Sequence, residues 1–585
     1  LTELTASERL RVFGLTADRS RRRLISRVLN IPVLRWTLGG GGDQLLIVPQ
    51  DLRTSDPSFW QELRHGQVGL AGSIATLHSQ SPFDVRPPTP AWARALHGFS
   101  WLRHLDAMER DDARDLAREL VVEWASRDLG ARGPAAEPAV AGRRLISWIS
   151  HATVLLDAAD QKVFDTITDS LDLQLRRLAA TWRDAPPGYP RLLTLTALTL
   201  ADLCVAGHER HLTGVERILA EELELQILPD GGHISRNPHV PIELMLDLLP
   251  LRQCFGARDR AAPEALDEAI RRILPMIRYM RLGDGMPARF NGMGVASPAA
   301  QATVLAYDDR PSEKLAHADA SGYARLVRGR TEIVVDVGVP PPIEFAAEAH
   351  AGCLSFEMSV GTALLFVNGG APSPADANWR PASRATASHN TLSLAEQSSS
   401  RLVRHKGLVE LLGASPIRLP HSVTSDIADG DDIRLAARHD GYLGRYGVTH
   451  ERILRLSPDG AVLEGRDRIE GPGGRAVRLQ HDLPFAIHFH LHPDVACRYE
   501  AEPGAVLIEL PHRAEAWRFT AAGAVLAIEE SIHFANSAGP RRALQIVLRG
   551  LTAGESEVSW SVSAIAEGSA AIVSGERAMS AEPEP

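Results

Sequence analysis

From about Thr89 to Met286 the apolar residues recur at helical spacing. Phe164, Ile167, Leu171, Leu175 and Leu178 fall at three- and four-residue steps, the pattern of one buried helix face. The same period predicts helices over Trp101–Trp124, Arg143–Leu156, Leu192–Cys204, Val215–Leu225, Glu243–Cys254 and Pro263–Met280. Turns such as Ala185-Pro186-Pro187-Gly188 join them. Many antiparallel helix pairs with no strict repeat predict an α/α toroid or solenoid rather than a four-helix bundle. Near Ser321 the period changes. Short strand-like runs follow at Glu332–Val337, Leu354–Ser359, Ala363–Val367, Val506–Leu510, Ala524–Ile528 and Leu544–Leu548. Turn sequences such as Ser457-Pro458-Asp459-Gly460 and Gly471-Pro472-Gly473-Gly474 lie between some of these runs, which predicts an antiparallel β-sandwich. The chain therefore reads as a multidomain α+β protein. A mixed extension over 1–88 packs on an α/α toroid over 89–310, an antiparallel β-sandwich covers 311–574, and the Ala-, Glu- and Pro-rich tail 575–585 is expected to be disordered.

Composition narrows the function classes. The 585 residues are 44% hydrophobic and 23% charged, an ordinary globular balance. The formal charge of −10 is spread along the chain, with no basic stripe and no zinc-finger spacing, so nucleic acid is excluded as an expected partner. A local arginine and histidine cluster can still create a field for an anionic substrate. The four cysteines (Cys204, Cys254, Cys353, Cys497) lie far apart without a Cys-x-x-Cys, which predicts buried free thiols. No apolar run approaches the roughly 18 residues of a membrane span. The chain begins at Leu1 without a Met, as a trimmed chain does, and the lack of a signal peptide carries little weight. The loop from Leu38 to Asp43, with four glycines between, lacks the Lys-Ser and βαβ setting of a phosphate cradle.

The densest chemistry lies in Asp230-Gly231-Gly232-His233-Ile234-Ser235-Arg236-Asn237-Pro238. Asp230-Gly231-Gly232 reads as a turn, and Pro238 pushes Asn237 out of helical geometry. An imidazole, a guanidinium and a carboxamide are thereby displayed by irregular backbone at a helix mouth, where sites are often built. The plainer alternative is a helix-connecting loop with a capping Asn.

Six segments carry a resemblance. Asp230 to Pro238 looks like the toroid motif of the heparinase II/III family of polysaccharide lyases, and the run from Gly283 to Gly292 like the segment that closes that toroid. Ala349 to Glu357 resembles the family's His-Ala-Asp-x-Leu-Ser-Phe strand, and Arg384 to Leu392 its Ala-His-Asn-Thr strand. Arg438-His439-Asp440-Gly441-Tyr442 and His488 to Pro493 resemble sandwich landmarks of a bacterial branch. The resemblance implies β-elimination on a uronic-acid-containing acidic polysaccharide, with no cofactor required, in a cleft where the two domains meet. It also implies a periplasmic or secreted location, while a cytoplasmic one stays open.

Elimination needs a group that neutralises the uronate carboxylate, a base for the C5 proton and an acid for the departing O4. The resemblance assigns these to an Asn or His on a toroid helix, a Tyr and a sandwich His. Here Val240 stands at the Tyr position, Glu348 at the first sandwich His position, and the neutralising helix opens Tyr189-Pro190-Arg191. Substitute residues are at hand. His233 is the expected base, with Arg236 beside it, Tyr189 or His239 as acid and Glu348 from the sandwich. Arg191, Asn237, His239 and His350 would bind substrate, guanidinium being suited to bidentate contact with a carboxylate. His350, Asn368 and His389 resemble positions where family members hold a structural zinc, although Asn368 replaces an anionic ligand. His488, His490 and His492 alternate along one strand face and read as structural. Two further functions stay open: a glycoside hydrolase pairing Glu348 with Asp230 or Glu243, and a non-catalytic carbohydrate-binding or polymer-assembly protein.

Overall fold

The computed structural model describes residues 45–207, 214–404, 414–471, 482–500, 504–511, 515–552 and 557–565, with isolated positions at 13, 14, 17, 407, 409 and 412. The glycine-rich run near residue 40 and the tail 575–585 lie outside the described residues.

Over residues 45–310 the described helices are α1 (Ser58–Arg64), α2 (Pro90–Gly98), α3 (Leu102–Asp106), α4 (Asp111–Ser126), α5 (Pro138–Ser150), α6 (Ala152–Leu156), α7 (Gln161–Thr181), α8 (Tyr189–Cys204), α9 (Val215–Gln226), α10 (His239–Ala257), α11 (Glu264–Tyr279) and α12 (Pro298–Ala306). Their burial sorts them into two rings. From Leu192 to Ala201 every residue of α8 is buried, and α5 and α10 are buried over most of their length, so these three form an inner layer. They pack side by side in the order α5, α8, α10. In the outer layer α7 covers α5, α9 covers α8 and α11 covers α10, each with one apolar face. The α7 face is Ile167, Leu171, Leu175 and Leu178, and the Asp160 carboxylate caps the helix by accepting from the Val163 amide at 2.9 Å. Residues Leu52, Phe59, Trp60, Leu63 and Val68 of the preceding segment join this same core.

Two expected helices are broken. The run Trp101–Trp124 divides between α3 and α4 because Glu109 adopts φ 50°, a left-handed conformation that no helix continues through. The run Arg143–Leu156 divides at His151, which leaves helical geometry with its ring held by Asp106 at 2.6 Å and Asp51 at 3.4 Å.

After the ribbon β1 (Gln67–Leu70) and β2 (Ser73–Thr76), the remaining strands form the C-terminal domain. They begin β3 (Tyr323–Arg328), β4 (Thr331–Asp336), β5 (Phe356–Val360), β6 (Ala363–Phe366), β7 (Leu392–Leu394), β8 (Arg401–Leu402), β9 (Ile417–Arg418), β10 (Val423–Asp429) and β11 (Ile433–His439). They continue β12 (Thr449–Leu456), β13 (Val462–Glu470), β14 (Pro484–His490), β15 (Ala496–Tyr499), β16 (Ala505–Glu509), β17 (Ala516–Ala522), β18 (Val525–His533), β19 (Arg541–Leu551) and β20 (Glu557–Ala564). An eight-stranded sheet runs β10-β11-β12-β13-β20-β17-β16-β15, and two four-stranded sheets run β18-β19-β14-β7 and β3-β4-β5-β6. Every ladder is antiparallel. Strand alternation turns Ile433 and Leu435 inward, and the inner faces of the three sheets share one core around Phe356, Phe366, Phe489, Phe519 and Trp560.

A separate cluster crosses the domain junction. Met276, Met280, Leu282 and Phe290 from the end of the toroid pack on Tyr323, Val334, Leu364 and Val367 of the sandwich. This apolar seam fixes the mouth of the toroid against the sandwich edge.

Candidate active site

The loop from Asp230 to Pro238 is built as an interdomain clamp. Gly231 adopts φ 88°, and a Cβ there would fall on the Arg272 carbonyl, so the turn requires glycine. The Asp230 carboxylate accepts from the Ser321 amide and hydroxyl, both at 2.6 Å, and from the Gly232 amide at 3.1 Å. That commitment removes Asp230 from the hydrolase pairing. Arg236 is buried and donates to the carbonyls of Ser321 (2.7 Å), Gly322 (2.9 Å), Gly338 (3.1 Å) and Val339 (2.9 Å), and to Asp336 Oδ1 at 2.5 Å. Its expected role beside a catalytic base is therefore corrected: every guanidinium nitrogen is spent joining toroid to sandwich.

His233 is likewise enclosed. Its Nδ1 accepts from the Ser235 amide at 3.1 Å and lies 2.7 Å from the Ser235 hydroxyl, and its Nε2 faces Gln226 Oε1 at 3.0 Å. Burial, not the charge of Arg236, pushes its pKa down to about 3. A 2%-exposed imidazole with both nitrogens engaged is a poor general base, which corrects the expectation for His233. Asn237 uses Oδ1 to accept from the amide of His239, the first residue of α10, at 2.9 Å, and Pro238 rather than Asn237 stands at the helix cap. His239 is half-buried at the start of α10, 3.7 Å from Glu243. Arg191 turns toward Glu222 (3.4 Å) and the Ala185 carbonyl (3.1 Å). Neither His239 nor Arg191 lines the large cleft described next.

That cleft, of about 1110 Å³, opens between the toroid and the sandwich. Tyr189, the first residue of α8, and Glu348 from the sandwich both line it, with Arg53, Arg94, Arg103, Arg143 and Glu243. Arg143 of α5 donates to the Tyr189 phenol oxygen at 2.8 Å and makes two 2.7 Å bonds to Asp247 of α10. Arg53 reaches the same Asp247 at 2.8 Å and Glu243 at 3.1 Å. Burial works against the Asp247 charge, but Arg143 and Arg53 outweigh it and hold the carboxyl down at about 2. Burial raises the Tyr189 pKa well above the usual phenol value; Asp247 and Glu243 add to the rise while Arg143 and Arg53 oppose it. Tyr189 therefore holds its proton at neutral pH. Glu348 is exposed and paired with Arg380. Glu137 and Asp184 bring the lining carboxylates to four against four arginines, so the cleft is charge-balanced. Arg53, Arg143 and Asp247 were absent from the sequence expectations, and only Asp247, a lone carboxylate in the apolar run Leu244 to Leu249, offered a signal.

In the sandwich, His350 Nδ1 lies 3.1 Å from His389 Nε2, and His389 Nδ1 faces the Ala385 carbonyl at 2.8 Å. The Asn368 amide donates to Arg289 O at 3.2 Å and accepts from the Asn390 amide at 3.0 Å. The two imidazole nitrogens face each other within hydrogen-bond distance, but Asn368 supplies no anionic ligand and both ends of its amide are spent on backbone, so the trio lacks the third ligand that the metal expectation needs. Among the described residues no group of three or more His, Cys, Asp or Glu side chains is arranged to hold a metal. His350 is a buried seam residue whose amide donates to Asn291 at 3.3 Å, not a group presented to the cleft.

The fold is thus a helical toroid joined to an antiparallel sandwich, with a cleft at their junction. Residues 310–561 match the family described as Heparinase II/III-like, C-terminal. FtsZ-localized protein C of Caulobacter vibrioides (strain NA1000 / CB15N) is 32% identical over 520 residues, 86% of each chain. The crystal structure of heparinase III superposes with a TM-score of 0.66 at 12% identity, over 84% of this chain and 80% of that one. Heparan sulfate lyase HepC from Pedobacter heparinus superposes at 0.55 with 14% identity, over 94% and 88%. The chain belongs to the heparinase II/III family. At such identities the two structures speak for the fold alone.

Proposed function

We propose that the cleft holds an acidic polysaccharide containing uronic acid units and cleaves it by β-elimination, with Tyr189 moving the proton. The observation that carries this reading is the Arg143–Tyr189 contact of 2.8 Å inside a junction cleft of about 1110 Å³. A guanidinium on the phenol oxygen stabilises the phenolate, the form that takes a proton. In the step, the C5 proton passes to a water in the cleft, the C5–H electron pair becomes the C4–C5 double bond, the C4–O4 bond breaks as Tyr189 gives its phenol proton to O4, and the phenolate that Arg143 stabilises takes the proton back from the water. Tyr189 would thus serve in place of the tyrosine that the family resemblance sets at Val240. A hydrolase is less well supported. Glu243 is held ionised by Arg53 against the pull of burial, whereas hydrolysis needs one carboxyl to stay protonated.

A second reading is supported by the raised Tyr189 pKa and by the charge balance of the cleft: the chain holds a glycan without cutting it. Its likeness to FtsZ-localized protein C then suggests work at an FtsZ-based assembly. One experiment separates the readings. The full chain is incubated with a panel of acidic polysaccharides while absorbance near ~235 nm is followed, since elimination leaves a conjugated double bond. Tyr189→Phe should abolish that signal while leaving binding intact. Binding of a polysaccharide with no absorbance gain across the panel would refute cleavage and leave the second reading. Full turnover in Tyr189→Phe would refute the assignment of the proton to Tyr189.

A further inference from the structure

A second cavity, of about 400 Å³, lies on the sandwich beside the β8–β9 ribbon and is separate in its lining from the junction cleft. Arg401, Arg418, His421 and Arg445 line it, and no carboxylate does among the described residues. Arg401 of β8 and Arg418 of β9 are direct cross-strand partners. Arg401 and His421 make no ion pair among the described residues. Arg445 donates to Gln397 Oε1 at 3.0 Å and lies over the Tyr446 ring.

The pocket is nonetheless built. The ribbon is tied down by the Ser400 hydroxyl on the Leu419 carbonyl (2.5 Å) and by the Ile417 amide on the Ala346 carbonyl (3.3 Å). Tyr442 forms a buried wall, its hydroxyl donating to the Leu392 carbonyl at 2.8 Å. Close approach also shapes it, for a Cβ on Gly441 would press on the Ser399 carbonyl. The size suits a small ligand unit, and an apolar wall under converging cations suits a ring that bears a negative group. The junction cleft, by contrast, is lined by as many carboxylates as arginines.

We infer that this pocket is a binding site for one acidic sugar unit, bearing a carboxylate, sulfate or phosphate, held by Arg401 and Arg445 with Arg418 behind them. The concave shape favours a sugar-sized unit over a flat anionic membrane. The inference rests on the preceding reading only in taking a glycan as the source of the anion; it is independent of Tyr189 chemistry.

The test uses the full chain and a fluorescein-labelled sulfated uronate hexasaccharide, with inorganic phosphate and phosphatidylglycerol vesicles as competitors. The wild type should show binding that the exposed-surface variant R401E/R445E weakens by about tenfold or more, the loss expected for charge-assisted hydrogen bonds. The neutral variant R401Q/R445Q should show a smaller loss in the same direction, and both should keep the wild-type melting temperature. Cleft variant R94E/R103E should keep the component of binding that R401E/R445E removes and lose the rest, so an R94E/R103E variant that binds and turns over as the wild type does counts against the cleft reading alone. Equal affinity in R401E/R445E and wild type would overturn the inference, as would no binding of the hexasaccharide by the wild type. Vesicles that bind and displace the sugar while inorganic phosphate does not would overturn it in favour of a membrane surface. Displacement by inorganic phosphate alone supports it, with a phosphorylated unit as the source.

Discussion

Replacing Arg236 by Met tests whether this side chain is a clamp or a catalytic group. The guanidinium is 7% exposed and makes one charged and four neutral contacts across the domain junction. Breaking a buried ion pair costs about 3–5 kcal/mol because the abandoned charge stays buried. Asp336 would keep only Asn291 Nδ2 at 3.3 Å and the Gly338 amide at 3.2 Å. Four carbonyls would also lose a donor, each worth about 1 kcal/mol before water repairs some of them. With water repairing most of the four, the expected total is about 4–6 kcal/mol. Guanidinium chloride unfolding, followed by circular dichroism for the helices and tryptophan fluorescence for the whole chain, measures it. Two domains need not unfold as one, so the two probes are compared before any free energy is taken. Arg236→Met/Asp336→Asn leaves no orphaned charge and should recover about 1–3 kcal/mol of the loss. A single variant within about 1 kcal/mol of wild type, or a double variant no better than the single, would refute the clamp.

Three other outcomes follow from the same contacts. Burial sets the pKa of His233 and His533 at about 3 and of His389 at about 4, below the ordinary 6.5. The unfolded chain takes up protons that the folded chain refuses, so stability is full above pH 6.5 and falls as pH drops toward 4. Each group contributes about 1.4 kcal/mol per pH unit, and a melting temperature that stays level from pH 7 to pH 5 would contradict this. Gly231→Ala should cost about 2–4 kcal/mol through a left-handed backbone and a clash with the Arg272 carbonyl, read as a lower unfolding midpoint; a neutral result would show the turn can shift. Asp247→Asn removes a carboxylate that raises the Tyr189 pKa, so the phenol should titrate at lower pH by ultraviolet absorbance, and an unchanged titration would sever the proposed link.

The division into a helical and a stranded half was legible because burial imposes its own period. Ile167, Leu171, Leu175 and Leu178 had to share a face, and the runs at Thr331–Asp336 and Ala505–Glu509 had to alternate or be wholly buried. The long strands β10 to β13 escaped notice because charged residues such as Arg434, Arg438, Arg452 and Asp467 interrupt their apolar pattern. Arg452 and Asp467 are buried against each other, a fact that no local window contains. The family was readable from six short segments, since the turn at Gly231 and the close-packed strands tolerate few residues. The roles of the site residues were not. His233, Arg236 and Asp230 looked like chemistry, yet Ser321, Asp336 and Gln226 consume their polar atoms. Arg143 and Asp247 carried no expectation, yet they meet beside Tyr189 from positions 104 residues apart. A side chain's type fixes which bonds it can make, and short-range spacing fixes which face it occupies. Whether its nitrogen or oxygen ends in a cleft or on a carbonyl depends on which distant backbone folds against it.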